Sequence, residues 1–194
     1  MEAREVLIGN SDIDKSTILA HYGNIDWLKS NKTVIHYFGL GFIQLKLGPN
    51  YRLHFYTAKL PPIVGHEDIH NHRYGFESFI LKGRFFQQIY NIVEGDDYVM
   101  ELESCEDGSE SEYLGTCDAD LIHVSAYNAG SRYSVSHKAY HSAFAEEAIT
   151  LIRRPTEYAK DRATVVRPSG TPKVCPFSKK LPEAELWKIV EEMI

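Results

Sequence analysis

The stretch Ile69–Gly83, IHNHRYGFESFILKG, places two histidines one residue apart and a glutamate early in an apolar segment. Side chains alternate along an extended strand, so His70 and His72 share one face. Gly75 allows the chain to bend back before the next strand. A carboxylate at Glu77 is costly in an apolar strand unless it is paired or bound to a cation. The pattern predicts a metal ion bound by both imidazoles and Glu77, with a further imidazole from elsewhere.

The composition is that of a soluble globular protein. The chain has 194 residues, of which 43% are hydrophobic and 25% charged, a size that suits one domain. A net charge of -6 argues against nucleic acid as the main partner. Three scattered cysteines exclude a disulfide framework. Without a basic and apolar leader or a long apolar stretch, we expect a cytoplasmic protein that does not enter a membrane.

Short apolar segments separated by turn signals follow one another from Thr33 to about Pro155. No alternating helices lie between them, so the pattern predicts a mainly β, antiparallel sandwich or barrel. The sequence EGDD, with Asp96 and Asp97, is interpreted as a hairpin turn. We predict three regions: an N-terminal helical or extended appendage (1–32), a β-barrel (33–155) and a C-terminal extension (156–194).

Helices are predicted at both ends of the chain. The first comprises one or two short helices, with Ser11 or Asp12 as the candidate N-cap. The second follows Pro182 and carries a stripe at helical spacing, formed by Leu186, Ile189, Val190 and Met193. This stripe is interpreted as packing against the barrel or against a second subunit. Together with barrel-edge strands it favours a homodimer.

The metal-binding stretch resembles the first motif of the cupin superfamily. Its elements here are Gly65, His70, His72, Glu77 and Gly83, and both glycine spacings are one residue shorter than the usual pattern. The resemblance covers about Leu53 to Arg153. It implies a double-stranded β-helix, a jelly-roll-like barrel, with one more histidine ligand from a later strand.

Two histidines compete to be that ligand, His137 and His141. The usual Pro-x-Gly turn of the second cupin motif is absent here. An even offset places both histidines on one face of a straight strand, so alternation does not separate them. We favour His141, because the sequence YSVSHKAYH is expected to bend before it.

Three histidines and Glu77 imply one divalent transition metal per chain, with Fe(II) favoured and Mn, Ni or Zn as alternatives. Open coordination positions predict a dioxygenase acting on a small polar metabolite. The alternatives are a non-redox hydrolase, isomerase or lyase, and a small-ligand-binding cupin without catalysis. Thiol dioxygenases are similar cupins that hold iron with three histidines and no carboxylate, a pattern from which Glu77 departs.

Several residues are candidates for the pocket around the metal. The segment RFFQQIY offers either Phe86, Gln88 and Tyr90 or Phe85, Gln87 and Ile89 to the interior. The predicted pocket residues are Tyr74, Arg84, Gln88, Tyr90, His123, Tyr133 and His137. The other histidines, His21, His36, His54 and His66, are interpreted as surface or core residues.

Overall fold

The structure is a computed structural model that describes residues 13–60, 62, 69–103, 111–155, 157–160, 162–171 and 179–194. The predictions made for Ser11, Asp12, Gly65 and His66 lie outside these described residues.

In the part of the chain that the structure describes, three helices flank the sheet: α1 (Lys15–His21), α2 (Ile25–Asn31) and α3 (Glu183–Met193). Asp14 caps α1 by accepting a hydrogen bond from the Thr17 amide at 2.8 Å. Asn24 caps α2 in the same way. The predictions of one or two short N-terminal helices and of a C-terminal helix are confirmed, and the N-terminal helices are two in the described residues. No helix in the described part of the chain combines the length and apolar character that a membrane span requires.

Within the described residues, nine strands form one sheet whose neighbours pair antiparallel, which confirms the mainly β, antiparallel prediction. β9 lies in the segment predicted as a C-terminal extension, and it pairs with β4 and β5. The strands are β1 (Val34–Phe38), β2 (Phe42–Leu47), β3 (Tyr51–Thr57), β4 (Ile69–His70), β5 (Phe76–Leu102), β6 (Glu112–Asn128), β7 (Arg132–Val135), β8 (Tyr140–Arg153) and β9 (Thr164–Pro168).

The predicted hairpin turn at Asp96 and Asp97 is wrong, because β5 continues through it. Pairing with β6 resumes after an irregularity between Val93 and Tyr98. The Asp97 amide donates to the Asp118 carboxylate at 3.0 Å across this bulge. The long pairing on either side therefore outweighs the local turn signal.

The part of the sheet around β2, β3 and β8 has two different faces. The helix face is apolar, and its strand residues include Leu45, Phe55 and Leu151, all fully buried against the helices. The four stripe residues of α3 pack here, Leu186, Ile189, Val190 and Met193. One ground for predicting a homodimer is thereby removed, since the chain buries this stripe itself. The opposite side, here called the histidine face, includes Phe76, Phe85 and His141.

Candidate metal centre

Three histidines converge on the histidine face: His70 on β4, His72 in the segment after it and His141 on β8. Cross-strand pairing sets His70 directly opposite His141. The Nε2 atoms of His72 and His141 lie 2.6 Å apart, and one ring nitrogen from each histidine lies within 4.8 Å of the others. His141 is 4% exposed, whereas His70 and His72 are half-buried. The cluster offers three nitrogen ligands and an accessible side.

Neighbouring side chains hold the imidazoles in position. The side-chain amide of Gln87 on β5 lies 3.2 Å from Nδ1 of His141. Phe76 packs edge-on against the His72 ring, with 4.8 Å between ring centroids. The Asn71 side chain points away from the cluster, and its Oδ1 atom accepts hydrogen bonds from the Thr164 backbone amide at 2.8 Å and from the Lys160 ammonium. These contacts limit the movement of the segment that carries His70 and His72.

Two histidines of the cluster, His72 and His141, favour their neutral form. Burial lowers the pKa of His72 well below its usual value, with further lowering by His70 and His141. Burial also lowers the pKa of His141, with His70 as the second cause. Because only a neutral imidazole has a lone pair for a metal, the site is ready to bind a cation at neutral pH.

The structure does not bring Glu77 to the cluster. Phe76 occupies the histidine face, so alternation turns Glu77 to the other side of β5. Its carboxylate there meets the Arg153 guanidinium at 3.2 Å, and its side chain is 42% exposed. The burial cost that suggested a cation at this position is therefore absent. Phe79 and Leu81, which follow Glu77 at intervals of two residues, pack against the helix-face core.

The two candidates for the third histidine are separated by the structure. His141 lies on β8 and joins the cluster. His137 lies in the turn between β7 and β8, and it is not part of the cluster. The expected bend before His141 is this turn.

The predicted pocket residues divide into two sets. Tyr74 lies near the cluster, 6.3 Å from His72 between ring centroids, and Tyr133 packs 6.5 Å from Phe76. Others lie away from it: Arg84 and His123 are exposed, and Gln88 and Tyr90 form a hydrogen-bonded group with Ser142. Gln87, one of the two alternatives in RFFQQIY, is the glutamine that contacts the cluster.

Sequence reasoning did not single out His54, which lies on the histidine face of β3. Its ring stacks on Phe42, with 4.5 Å between centroids, and its Nε2 atom lies 3.1 Å from the Gln44 amide nitrogen. Burial lowers the pKa of His54 to about 3, with Arg52 and His36 as further causes. A cross-strand row of polar residues is the signal that could have identified it, but that row becomes visible only once the strands are paired.

His54 makes the protein acid-sensitive. Because the pKa of His54 is about 3 in the folded protein, its imidazole binds a proton below pH ~6.5 in the unfolded chain but stays neutral in the folded chain until the pH approaches 3. His54 therefore leaves the free energy of unfolding unchanged above pH ~6.5 and lowers it progressively as the pH falls from there towards 3. Relative to His54→Gln, we expect the unmodified protein to lose roughly 2–3 kcal/mol more between pH 7 and 4.5 in urea unfolding. Equal losses in the two proteins would contradict this prediction.

Gln87 is expected to tune the cluster through His141. Rotation of the amide by 180° exchanges its oxygen and nitrogen, and a Gln87 oxygen accepting from Nδ1–H leaves the His141 Nε2 lone pair available. We expect Gln87→Leu to weaken metal binding about 10- to 100-fold, measured by competition with a chelator of known affinity. The matched control is Gln88→Leu, since Gln88 bonds to Tyr90 and Ser142 instead. Equal weakening by both variants would show that Gln87 has no specific role.

Comparison with known proteins adds no family assignment. No protein-family model matches the sequence, and no curated protein matches it significantly. The solved structures similar to it include hydroquinone 1,2-dioxygenase from Sphingomonas sp. TTNP3 with 4-hydroxybenzoate bound (11% identity, 54% of this chain, 59% of that chain, TM-score 0.29). Another is hydroquinone 1,2-dioxygenase PnpCD in complex with Cd2+ and 4-hydroxybenzonitrile (9% identity, 82% of both chains, TM-score 0.35). Both TM-scores are too low to assign a fold or a function to this chain.

Proposed function

We propose that this chain is a metal-dependent enzyme of the cupin type, in which His70, His72 and His141 bind one divalent transition metal. The observation that carries the proposal is the convergence of three histidines, each with a ligand nitrogen within 4.8 Å of the others. The donor set fits such an ion, since neutral imidazoles are common ligands of iron, nickel and zinc. The cupin resemblance of the surrounding sequence supports a double-stranded β-helix as the finer description of the sheet.

Among the possible reactions we favour an Fe(II)-dependent dioxygenase reaction on a small metabolite. With Glu77 directed away, the candidate ligands are three histidines, the set that the sequence resemblance associates with iron in thiol dioxygenases. When bound, such a metal would supply redox chemistry towards O2 and a positive charge for an ionisable substrate group. The chain itself holds the imidazoles: Gln87 bonds to His141, and Phe76 packs against His72.

A second candidate is non-redox chemistry with Zn(II). The specific observation in its favour is that no carboxylate among the described residues belongs to the histidine cluster, because three histidines also form the catalytic zinc site of carbonic anhydrase. In this case the ion lowers the pKa of a bound water or polarises a substrate oxygen.

Metal analysis followed by an oxygen assay tests the proposal. We expect close to one transition metal per chain in protein purified without added metal. With Fe(II) restored, O2 consumption is expected on at least one compound in a panel of catechols, thiols and keto acids. Iron-loaded protein that consumes no O2, together with turnover by the zinc form, would select the second candidate. Protein that binds no metal would reject both.

A further inference from the structure

A row of polar side chains crosses the histidine face away from the metal centre. Strand register aligns Gln44 on β2, His54 on β3 and Thr150 on β8, with His36 on β1 at the outer end. The opposite face of the same strands is apolar and fully buried. Because polar groups in an interior are costly unless they are hydrogen-bonded, the row needs a physical reason.

The row retains hydrogen-bonding capacity. Thr150 is 1% exposed, and no partner among the described residues hydrogen-bonds to its Oγ1 atom. Gln44 engages one ring nitrogen of His54. His54 is half-buried, and burial is the main cause of its low pKa. The Thr150 hydroxyl therefore lacks only a ligand or a water to complete its hydrogen bonding.

Aromatic rings connect the row to the metal centre. Phe42 stacks on His54 and lies 4.8 Å from Tyr56 between centroids. The series then continues without a break to the metal-centre histidines, through Tyr56–Phe85 at 5.5 Å, Phe85–Tyr133 at 5.6 Å, Tyr133–Phe76 at 6.5 Å and Phe76–His72 at 4.8 Å. A surface lined by these aromatic rings favours a flat, apolar ligand ring that is held at its edge by a polar group.

The charges near the row favour an uncharged ligand. His54 is neutral at physiological pH, since its pKa is about 3. The nearest cation on β3, Arg52, donates to the backbone carbonyls of Gly48, Pro49 and Tyr51. A carboxylate placed at the row would lose its hydration with weak compensation, whereas a hydroxyl can both donate to and accept from neutral groups.

We infer that His54, Thr150 and the aromatic side chains beside them form a substrate-recognition surface of the proposed enzyme, here called the wall. The wall accepts an uncharged aromatic ring bearing a hydroxyl group. This inference rests on the proposed function, which it deepens by naming the substrate class. Thr150 donates a hydrogen bond to the ring hydroxyl or accepts one from it, and the aromatic side chains from Phe42 to Phe76 cover the ring.

Binding of phenol to the full chain tests this inference. We expect saturable binding that Thr150→Val weakens about three- to tenfold, the effect of one neutral hydrogen bond. Thr150→Ser keeps the hydroxyl and should bind phenol like the unmodified protein. His123→Ala, at an exposed position on β6, is the control and should also leave binding unchanged. Equal phenol affinity in Thr150→Val and Thr150→Ser would overturn the inference.

The ligand class is tested on unmodified protein after chelation, so that no metal contributes. Phenol should bind at least about tenfold more tightly than cyclohexanol, which lacks the flat ring, and than benzoate, which is charged. Equal or tighter binding of cyclohexanol, benzoate or glucose would overturn the inference even if Thr150→Val failed to fold. The metal content of the same protein preparation, measured before chelation, separates the two proposals. If the protein contains metal but does not bind phenol, the wall alone is rejected. If the protein selects phenol but contains no metal, the proposed function alone is rejected.

Discussion

His72→Ala is expected to lower the metal affinity of the protein by more than about 100-fold, leaving purified protein almost free of metal. His72 contributes one of three clustered nitrogen ligands, and two remaining ligands are fewer than catalytic metal sites use. We expect the same loss for His141→Ala and His70→Ala. Elemental analysis of purified protein and chelator competition measure the effect, and circular dichroism verifies that each variant is folded. His72 is the most informative position because it lies outside the strands, where truncation disturbs the sheet least.

Glu77→Ala and His137→Ala are the matched controls for this prediction. Glu77 pairs with Arg153 at the surface, and His137 lies in the turn before β8. Both variants should keep the metal, and loss of the surface ion pair should cost less than about 1 kcal/mol of unfolding free energy. Metal loss in Glu77→Ala, or full metal content in folded His72→Ala, would show that the three-histidine site is wrong.

Gly83→Ala is expected to have the largest effect on stability, about 4 kcal/mol or more of unfolding free energy. Gly83 has φ 75°, and a Cβ there would lie 1.8 Å from the Glu147 carbonyl oxygen. Gly83 and Glu147 both lie in paired strands, so neither residue can move without disrupting the contact between β5 and β8. Urea unfolding measures the loss, and the yield of soluble, folded protein shows it if the variant does not fold.

Gly130→Ala separates the collision from the backbone strain. Gly130 also has positive φ, 88°, but no atom lies within 4 Å of a Cβ placed there. This variant should lose only about 1 kcal/mol, the ordinary cost of a left-handed conformation for alanine. If both variants lost the same stability, the close approach at Gly83 would not be the cause.

An irregularity of β5 near Gly83 explains why Gln87, and not its neighbour Gln88, reaches the histidine cluster. Ile80 and Phe85 pack in the same cluster on the histidine face although they are an odd number of residues apart. The register of β5 against β8 shifts twice between them, on either side of Lys82 and Gly83. The first shift leaves Leu81 as an extra residue on β5 and reverses the alternation of side chains along this strand, whereas the second adds its extra residue on β8. As a result Gln87 faces His141 and Gln88 faces away. A strict period of two from Phe76 would have selected Gln88.

Much of the fold could be predicted because its signals are local. Apolar runs and turn residues define β1, β2, β3 and β7, and helical spacing defines α3. The continuation of β5 through the predicted turn at Asp96 and Asp97 was not predictable from local signals. A Gly-Asp-Asp sequence favours a turn by itself, and only the pairing with β6 on both sides keeps the strand continuous.

By itself, the sequence determined that His70 and His72 are neighbours with ligand capacity, since one intervening residue keeps two side chains together over any short extended segment. Only the tertiary structure decided their companions. The bend between His72 and Phe76 decides which face Glu77 takes, and the pairing of β4 with β8 brings in His141 from 69 positions further along the chain. The rows across the sheet that contain Gln87, His54 and Thr150 exist only after distant strands have found their register. Alternation along a strand is a property of local bond geometry, whereas register between strands depends on the packing of the whole sheet.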